Sequence, residues 1–185
     1  MKYTFITALA VLLAFTTQAQ YQNKKIQIGQ EAPELEFKNP EGKIIKLSKI
    51  NRKRIVLIDF WASWCGPCRK ANPHVVELYH KYKNKGFTVY SVSLDGVDER
   101  TKRRFSNEEQ VAMQLENSKK RWLGAIAKDK LEWDYHVSDL KKWDCAPAKE
   151  YGVRSIPRTF LIDKEGKIAA INPRYNLEEE LMKLL

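Results

Sequence analysis

The stretch that decides the fold is residues 59–70, which read "DFWASWCGPCRK". It begins inside an apolar run at Ile55–Phe60, whose lack of polar alternation predicts a strand buried on both faces of a sheet. It ends inside a segment of helical character that runs from Cys65 to about Asn84, with Gly86 as the helix-ending residue. The quoted residues therefore predict a buried strand that turns directly into a helix, with two cysteines at the start of that helix.

A second strand follows the helix and completes a unit that is typical of α/β proteins. Residues Phe87–Asp95 are rich in apolar and β-branched side chains, and the order strand, helix, strand predicts a parallel pair with a right-handed crossover. The other predicted elements are two extended segments around a turn at Asn39–Gly42, one or two helices within Gly96–Leu131, a short strand at Glu132–Asp139, a helix at Ala146–Tyr151, a hairpin of strands Thr159–Ile162 and Lys167–Ile171, and a closing helix at Asn176–Leu185 with Asn176 as its N-cap.

The cysteine pair has only Gly66 and Pro67 between its members. Cys65 comes where a strand ends and a helix begins, and the unpaired N–H groups of a helix start stabilise a thiolate, the nucleophile of disulfide exchange. Cys68 lies one turn further on, where it is placed to attack a mixed disulfide and release the partner. Pro67 fixes the first turn, and Gly66 leaves the approach to Cys65 open. Because so small a ring constrains little of the unfolded chain, we expect a reversible disulfide rather than a structural one.

Metal and haem sites match the cysteine and histidine pattern poorly. The chain has three cysteines, too few for a four-thiolate zinc site, and its histidines lack the usual ligand spacing. Haem attachment requires a histidine directly after the second cysteine, and this chain has Arg69 there. We therefore expect neither a metal nor another cofactor.

Positive charge is abundant but scattered. The formal net charge is +10, with small basic clusters at Arg100–Arg104 ("RTKRR") and Lys119–Arg121 ("KKR"). A nucleic-acid protein would usually place such clusters beside exposed aromatic side chains on one element. We therefore expect a solvated basic surface and no nucleic-acid partner, with a preference for acidic partners or anionic membrane surfaces as the alternative.

The first twenty residues have the order of a secretory signal peptide, with a lysine near the start, an apolar run at Phe5–Phe15, and small and polar residues after it. The run is short for a membrane-spanning helix, which needs about 20 apolar residues. We therefore expect a signal peptide at 1–20 and one domain at 21–185 with an insertion at about 97–130, with no tight membrane insertion after cleavage. An uncleaved membrane anchor is the alternative.

These features resemble the thioredoxin superfamily. "DFWASWCGPCRK" is similar to the active-site segment of that superfamily, and "SIPRTFLID" at Ser155–Asp163 is similar to its cis-proline loop and the strand that follows. The layout from about Gly29 to the C-terminus resembles the TlpA/ResA group of exported or membrane-tethered thiol–disulfide oxidoreductases. The resemblance implies a thioredoxin fold, in which helices flank a central mixed β-sheet, with an N-terminal β-hairpin extension and a helical insertion.

The resemblance also implies which residues contact a substrate. It makes Pro157 a cis-proline, with the backbone of Ile156 pairing with an extended substrate segment. Trp64 would line the substrate groove, next to Gly66 and Pro67, whereas Trp61 would pack inside the domain. These residues form the predicted substrate-binding set around the cysteine pair.

The same resemblance assigns the chemistry to three residues. Cys65 and Cys68 form the redox-active disulfide, Cys65 as nucleophile and Cys68 as resolving residue. Asp59 lies within the predicted buried strand, where burial raises the pKa of a carboxyl group, and the resemblance makes it the acceptor of the Cys68 proton. ResA-like proteins often carry a glutamate three residues after the second cysteine, where this chain has Ala71. For the remaining Cys145 we expect a buried thiol, with a regulatory or intermolecular disulfide as the alternative.

The implied activity is that of a thiol–disulfide oxidoreductase. We expect a periplasmic, monomeric reductase that takes electrons from a membrane thiol donor and passes them to protein disulfide substrates, with a link to cytochrome c maturation. The alternatives are an oxidase or isomerase that uses the same pair, and a thioredoxin-like binding module whose cysteines are inert. Peroxidase chemistry is a distant alternative, because peroxiredoxins carry their reactive cysteine in a different loop motif.

Overall fold

The computed structural model describes residues 26–185, so the predicted signal peptide at 1–20 lies outside the described residues. Two short strands, β1 (Glu36–Lys38) and β2 (Ile44–Lys46), form an antiparallel hairpin around the predicted turn. The main sheet has five strands, which are β3 (Ile55–Trp61), β4 (Phe87–Ser93), β5 (Tyr135–Val137), β6 (Arg158–Ile162) and β7 (Ile168–Ile171). Their order across this sheet is β5–β4–β3–β6–β7.

The main sheet is mixed, and β3 lies at its centre. β3 pairs in parallel with β4 and antiparallel with β6, while β5 and β7 form the two edges. Every residue of β3 and of β4 is buried, as expected for strands inside a sheet that is covered on both faces. The predicted parallel pair, the α/β fold class and the N-terminal hairpin are thus confirmed.

Six α-helices lie within the described residues. They are α1 (Leu47–Ile50), α2 (Gly66–Tyr82), α3 (Glu99–Lys102), α4 (Glu108–Lys128), α5 (Ala146–Glu150) and α6 (Leu177–Met182), with short 3₁₀ turns at Lys83–Lys85 and Lys142–Asp144. The turn after α2 ends at Gly86, which has a left-handed backbone as predicted (φ 90°). None of the helices within residues 26–185 combines the length and apolar character needed to cross a bilayer.

Several predicted element ends differ from the structure; β5, for example, is Tyr135–Val137 rather than the predicted Glu132–Asp139. β4 ends at Ser93, before the predicted end at Asp95, because the Asp95 carboxylate accepts hydrogen bonds from Ser93 and Ser63 that hold the chain in a turn. Asn176 is the N-cap residue of α6, as predicted, but its side chain makes no capping hydrogen bond. Its backbone is not extended, and its amide donates to Glu180 Oε1 at 3.2 Å instead.

Gly96 fixes the position of the loop that follows β5. Its backbone has a φ of 120°, and a Cβ atom there would lie 1.9 Å from the carbonyl oxygen of Leu140. The neighbouring Val97 N–H donates to that same carbonyl oxygen at 2.9 Å. The Gly96 N–H also donates a hydrogen bond to the insertion, to Ser118 Oγ of α4 at 2.7 Å. Only glycine lets the two backbones approach this closely.

We therefore expect Gly96→Ala to lower the free energy of unfolding by about 3 kcal/mol. The new methyl group meets backbone atoms, which cannot move aside by changing rotamer as a side chain can. The matched control is Gly124→Ala in α4, where a Cβ atom meets nothing within 4 Å. That change should raise the free energy of unfolding by up to about 1 kcal/mol, since alanine favours helices. Urea denaturation of the oxidised protein measures both, and equal effects of the two changes would contradict the role given to Gly96.

Candidate active site

Cys65 and Cys68 form a disulfide at the start of α2. Cys65 is the N-cap residue, with an extended backbone, and its sulfur accepts a hydrogen bond from the Cys68 N–H at 3.2 Å. The exposed fraction is 5% for Cys65 and 1% for Cys68. When the disulfide is reduced, Cys65 is the sulfur that solvent reaches and a helix-start N–H group stabilises, so it is better placed to react first.

Asp59 lies in the middle of the sheet, two residues before the end of β3. It is opposite Thr159 on β6 and Ser91 on β4, and only 6% of its surface is exposed. Burial raises the pKa of the Asp59 carboxyl group from 3.8 to about 7, and the positive charge of Arg174 opposes part of this rise. A carboxyl group with this pKa can take up or release a proton near neutral pH.

A cleft of about 410 Å³ joins Asp59 to the disulfide. Asp59 and Cys68 both line it, and Pro157 and Arg174 lie on its walls. Its other lining residues are Leu57, Pro67, Lys70, Ala71, Asn72, His74, Val75, Thr159, Tyr175 and Leu177. A cleft of this volume can hold several water molecules beside the second cysteine and the buried acid.

The proline loop lies against the same cysteine. The Ile156–Pro157 peptide bond is cis, Ile156 is half-buried, and Pro157 is buried on the wall of the cleft. β6 begins directly after it, so the pairing of β6 with β3 holds the loop beside α2. Of the residues predicted for substrate contact, Pro67 and Pro157 thus meet at one cleft, whereas Gly66 and Trp64 are exposed on the surface beside Cys65.

Trp64 has an aromatic partner that the sequence did not reveal. Its ring is 45% exposed and lies 6.2 Å, centroid to centroid, from the ring of Trp143. Lys142 Nζ lies 5.8 Å from the centroid of the Trp64 ring. Trp61, in contrast, is completely buried, as expected. No local pattern connects residues so far apart in sequence, and only the β5 loop brings Trp143 to the active-site face.

An ion pair that the sequence did not predict connects the insertion to the start of α2. The Arg69 guanidinium forms a two-pronged ion pair with Asp129, the residue that ends α4. Asn72 Nδ2 donates to the same carboxylate at 2.7 Å, and Arg69 Nη1 donates to the carbonyl oxygen of Ser63 at 3.2 Å. These bonds fix α4 against the helix turn that carries Cys68.

Cys145 lies apart from this site. It is completely buried at the start of α5, and burial raises the pKa of its thiol to about 12. A thiol in this environment has little thiolate to react. Over residues 26–185, no group of His, Cys, Asp or Glu side chains is arranged to hold a metal ion.

Comparisons with known proteins point to one family. Residues 28–171 match the model of the AhpC/TSA family. The thiol-disulfide oxidoreductase ResA of Bacillus cereus is 32% identical over 95% of this chain and 90% of that protein. ResA of Bacillus thuringiensis subsp. konkukian is 33% identical over 93% of this chain and 88% of that protein.

Solved structures agree with these relatives. A thiol-disulfide oxidoreductase from Bacteroides fragilis superposes with a TM-score of 0.67 and 31% identity, covering 84% of this chain and all of that one. A thiol:disulfide interchange protein from Bacteroides sp. superposes with a TM-score of 0.64 and 29% identity, covering 86% of this chain and 90% of that one.

The raised pKa of Asp59 predicts a pH dependence of stability. Between pH 3.8 and about 7 the unfolded chain ionises this carboxyl group and the folded chain does not, so the free energy of unfolding falls as the pH rises through this window. Asp59→Asn removes this loss. Relative to wild type, we expect the variant to gain on the order of 4 kcal/mol between pH 4 and pH 8. Urea denaturation of both oxidised proteins across this range is the measurement, and parallel curves would contradict the assignment.

Proposed function

The chain belongs to the AhpC/TSA family, within the thioredoxin superfamily, and we propose that it reduces protein disulfides in the cell envelope. It is a thiol–disulfide oxidoreductase, as its ResA relatives are. The observation that carries the proposal is the Cys65–Cys68 disulfide, which shares one cleft with the buried acid Asp59 and with Pro157. The Gly66–Pro67 dipeptide with Asp59 resembles reducing thioredoxins more than strong oxidants, which supports the direction of electron flow.

The first step uses the reduced form of the enzyme. The Cys65 thiolate attacks one sulfur of the substrate disulfide, the substrate S–S bond breaks, and a mixed disulfide forms between Cys65 and the substrate. The second substrate sulfur leaves as a thiolate and takes a proton from solvent. Ile156 and Pro157 contact the extended substrate segment through the loop backbone, while Trp64, Gly66 and Pro67 form the surface around Cys65.

The second step releases the substrate. Cys68 gives its proton to Asp59 through the cleft, and the resulting thiolate attacks the Cys65 sulfur. The mixed disulfide breaks, the substrate sulfur leaves as a thiolate that takes a proton from solvent, and the enzyme closes the Cys65–Cys68 disulfide present in the structure. The substrate has gained two electrons, and a membrane thiol donor returns two electrons to the enzyme. Asp59 accepts the proton well at neutral pH because its pKa is raised to about 7.

The proposed place of action rests on the predicted signal peptide at residues 1–20. With residues 1–20 acting as a signal peptide, the domain works as a monomer in the periplasm, or remains tethered if the segment is not cleaved. Cysteines of apocytochrome c are one class of substrate there, because they must be reduced before haem attachment. The buried Cys145 takes no part in these steps.

Trapping tests the two cysteine roles. Cys68→Ser removes the resolving thiol, so we expect mixed disulfides between Cys65 and substrate proteins to accumulate in envelope extracts. The matched control is Cys65→Ser, which should trap far less because Cys68 is almost fully buried. Non-reducing electrophoresis followed by mass spectrometry identifies the partners. If Cys68→Ser catches no partner and Cys65 does not react with iodoacetamide, the chain is a binding module and the proposal fails.

The reduction potential tests the direction of electron flow. We expect a value near or below about −250 mV, as in reducing thioredoxins, rather than near about −120 mV, as in strong oxidants. Equilibration in glutathione or dithiothreitol buffers, followed by Trp fluorescence, provides the measurement, because Trp64 adjoins the disulfide. A value near that of the strong oxidants would overturn the reductase and favour an oxidase. Rapid refolding of a scrambled-disulfide substrate would favour an isomerase.

A further inference from the structure

The face beside the disulfide carries a basic patch, defined as Arg100, Arg103, Arg104, Lys141 and Lys142. The first four side chains are exposed. Among the residues that the structure describes, no carboxylate forms an ion pair with any of the five. Lys102 lies in the same cluster but pairs with Glu99 at 2.6 Å. The patch therefore contains positive charge that the folded chain leaves available.

Nearby carboxylates offset the positive charge of the basic patch only in part. Lys142 attracts Asp98, but the hydrogen bonds of these acids go to other groups. Asp98 caps α3 by accepting from the Thr101 N–H at 2.7 Å. Asp144 accepts from the Glu99 N–H at 2.8 Å, and Asp139 accepts from the Lys141 N–H at 3.0 Å. These carboxylates bind backbone groups and leave the exposed cations unpaired.

Two contacts place the basic patch next to Cys65. Lys142 Nζ donates to Thr101 Oγ1 at 3.3 Å, which joins α3 to the β5 loop. The same Nζ lies 5.8 Å from the centroid of the Trp64 ring, and Trp64 precedes Cys65 in the chain. A protein segment that leaves Cys65 across Trp64 therefore meets Lys142, which contacts α3, the helix that carries Arg100 and precedes Arg103 and Arg104.

The loop that carries Lys141 and Lys142 is held by its backbone. Leu140 and Lys142 both have left-handed backbones, with φ values of 56° and 53°. Residues other than glycine adopt such values at a cost, which surrounding contacts must offset. The close approach of Gly96 to Leu140 and the bridge between Gly96 and Lys141 supply those contacts. The positive charge thus has a defined position relative to the disulfide.

We propose that the basic patch binds an acidic, extended segment of the protein substrate that flanks its disulfide. The inference rests on the proposed function and names a property of its substrates. Charge complementarity argues for an acidic partner, and a fixed cationic surface beside a reactive centre raises the rate of encounter with such partners. A protein segment fits this position better than a membrane, because a bilayer lying on the patch would cover Cys65 and block its substrate.

Two disulfide-bonded peptides that differ only in their flanks provide the test. One carries aspartate and glutamate residues beside the cysteine, and the other carries serine residues. For wild type at low salt, we expect kcat/KM to be about tenfold higher for the acidic peptide, and this preference to fall as salt rises. No preference for the acidic peptide in the wild type would overturn the proposal.

The variant is the double change Arg103→Glu and Arg104→Glu, which should abolish the preference while changing kcat/KM for the neutral peptide by less than about twofold. The matched control is Lys49→Glu with Arg52→Glu. It makes the same change in charge with exposed residues near the start of β3, at the opposite end of the strand from the disulfide. It should keep the wild-type preference. If both double variants lose the preference equally, net charge rather than the basic patch is responsible and the proposal fails.

Two further measurements separate this inference from its alternatives. Reduction of the neutral peptide that depends on Cys65 reports the proposed function alone, so its absence would remove that function, and the inference with it. Binding to vesicles containing phosphatidylglycerol reports a membrane role. If Arg103→Glu with Arg104→Glu loses vesicle binding but keeps the wild-type peptide preference, the patch is a membrane contact and the proposal is overturned.

Discussion

The burial of β3 between β4 and β6 is the constraint on which the site depends. A strand whose residues are all buried has one position in the sheet, and the place where it ends is equally fixed. The chain turns there into α2, so the position of the strand determines the position of the cysteine pair. The position of the cis-proline loop is determined by β6, which pairs with the same strand. Cysteine pair, acid and proline loop are thus held together by one element.

The burial of β3 also has an energetic cost, because it includes the carboxyl group of Asp59. A carboxyl group inside β3 destabilises the fold when it is ionised, so its proton is bound more tightly than in solvent. Arg174, on the wall of the same cleft, offsets part of this effect and keeps the pKa of Asp59 near neutrality. A fully apolar residue at this position would suit the sheet better but would remove the buried acid that we propose as the acceptor of the Cys68 proton.

The sequence predicted the local elements and their pairing well, because β-branched runs, the cysteine motif and Gly86 each act over a few residues. It did not predict contacts between distant residues, such as Trp64 with Trp143 or Arg69 with Asp129, since no periodicity connects them. It placed the N-cap of α6 at Asn176 correctly, but a suitable residue type does not ensure the extended backbone that a side-chain cap needs. The roles assigned to the site residues came from resemblance, and the structure adds the cleft that joins them.

The attachment of the insertion also bears on how such a domain can change. Gly96 and Ser118 join it to the end of β4, and Asp129 joins it to α2. Between these anchors, the turn from Arg103 to Asn107 is exposed except at Phe105. Lengthening a surface connection of this kind costs little closure entropy. New recognition surfaces can therefore be acquired or grafted in the anchored insertion while the redox centre keeps its geometry.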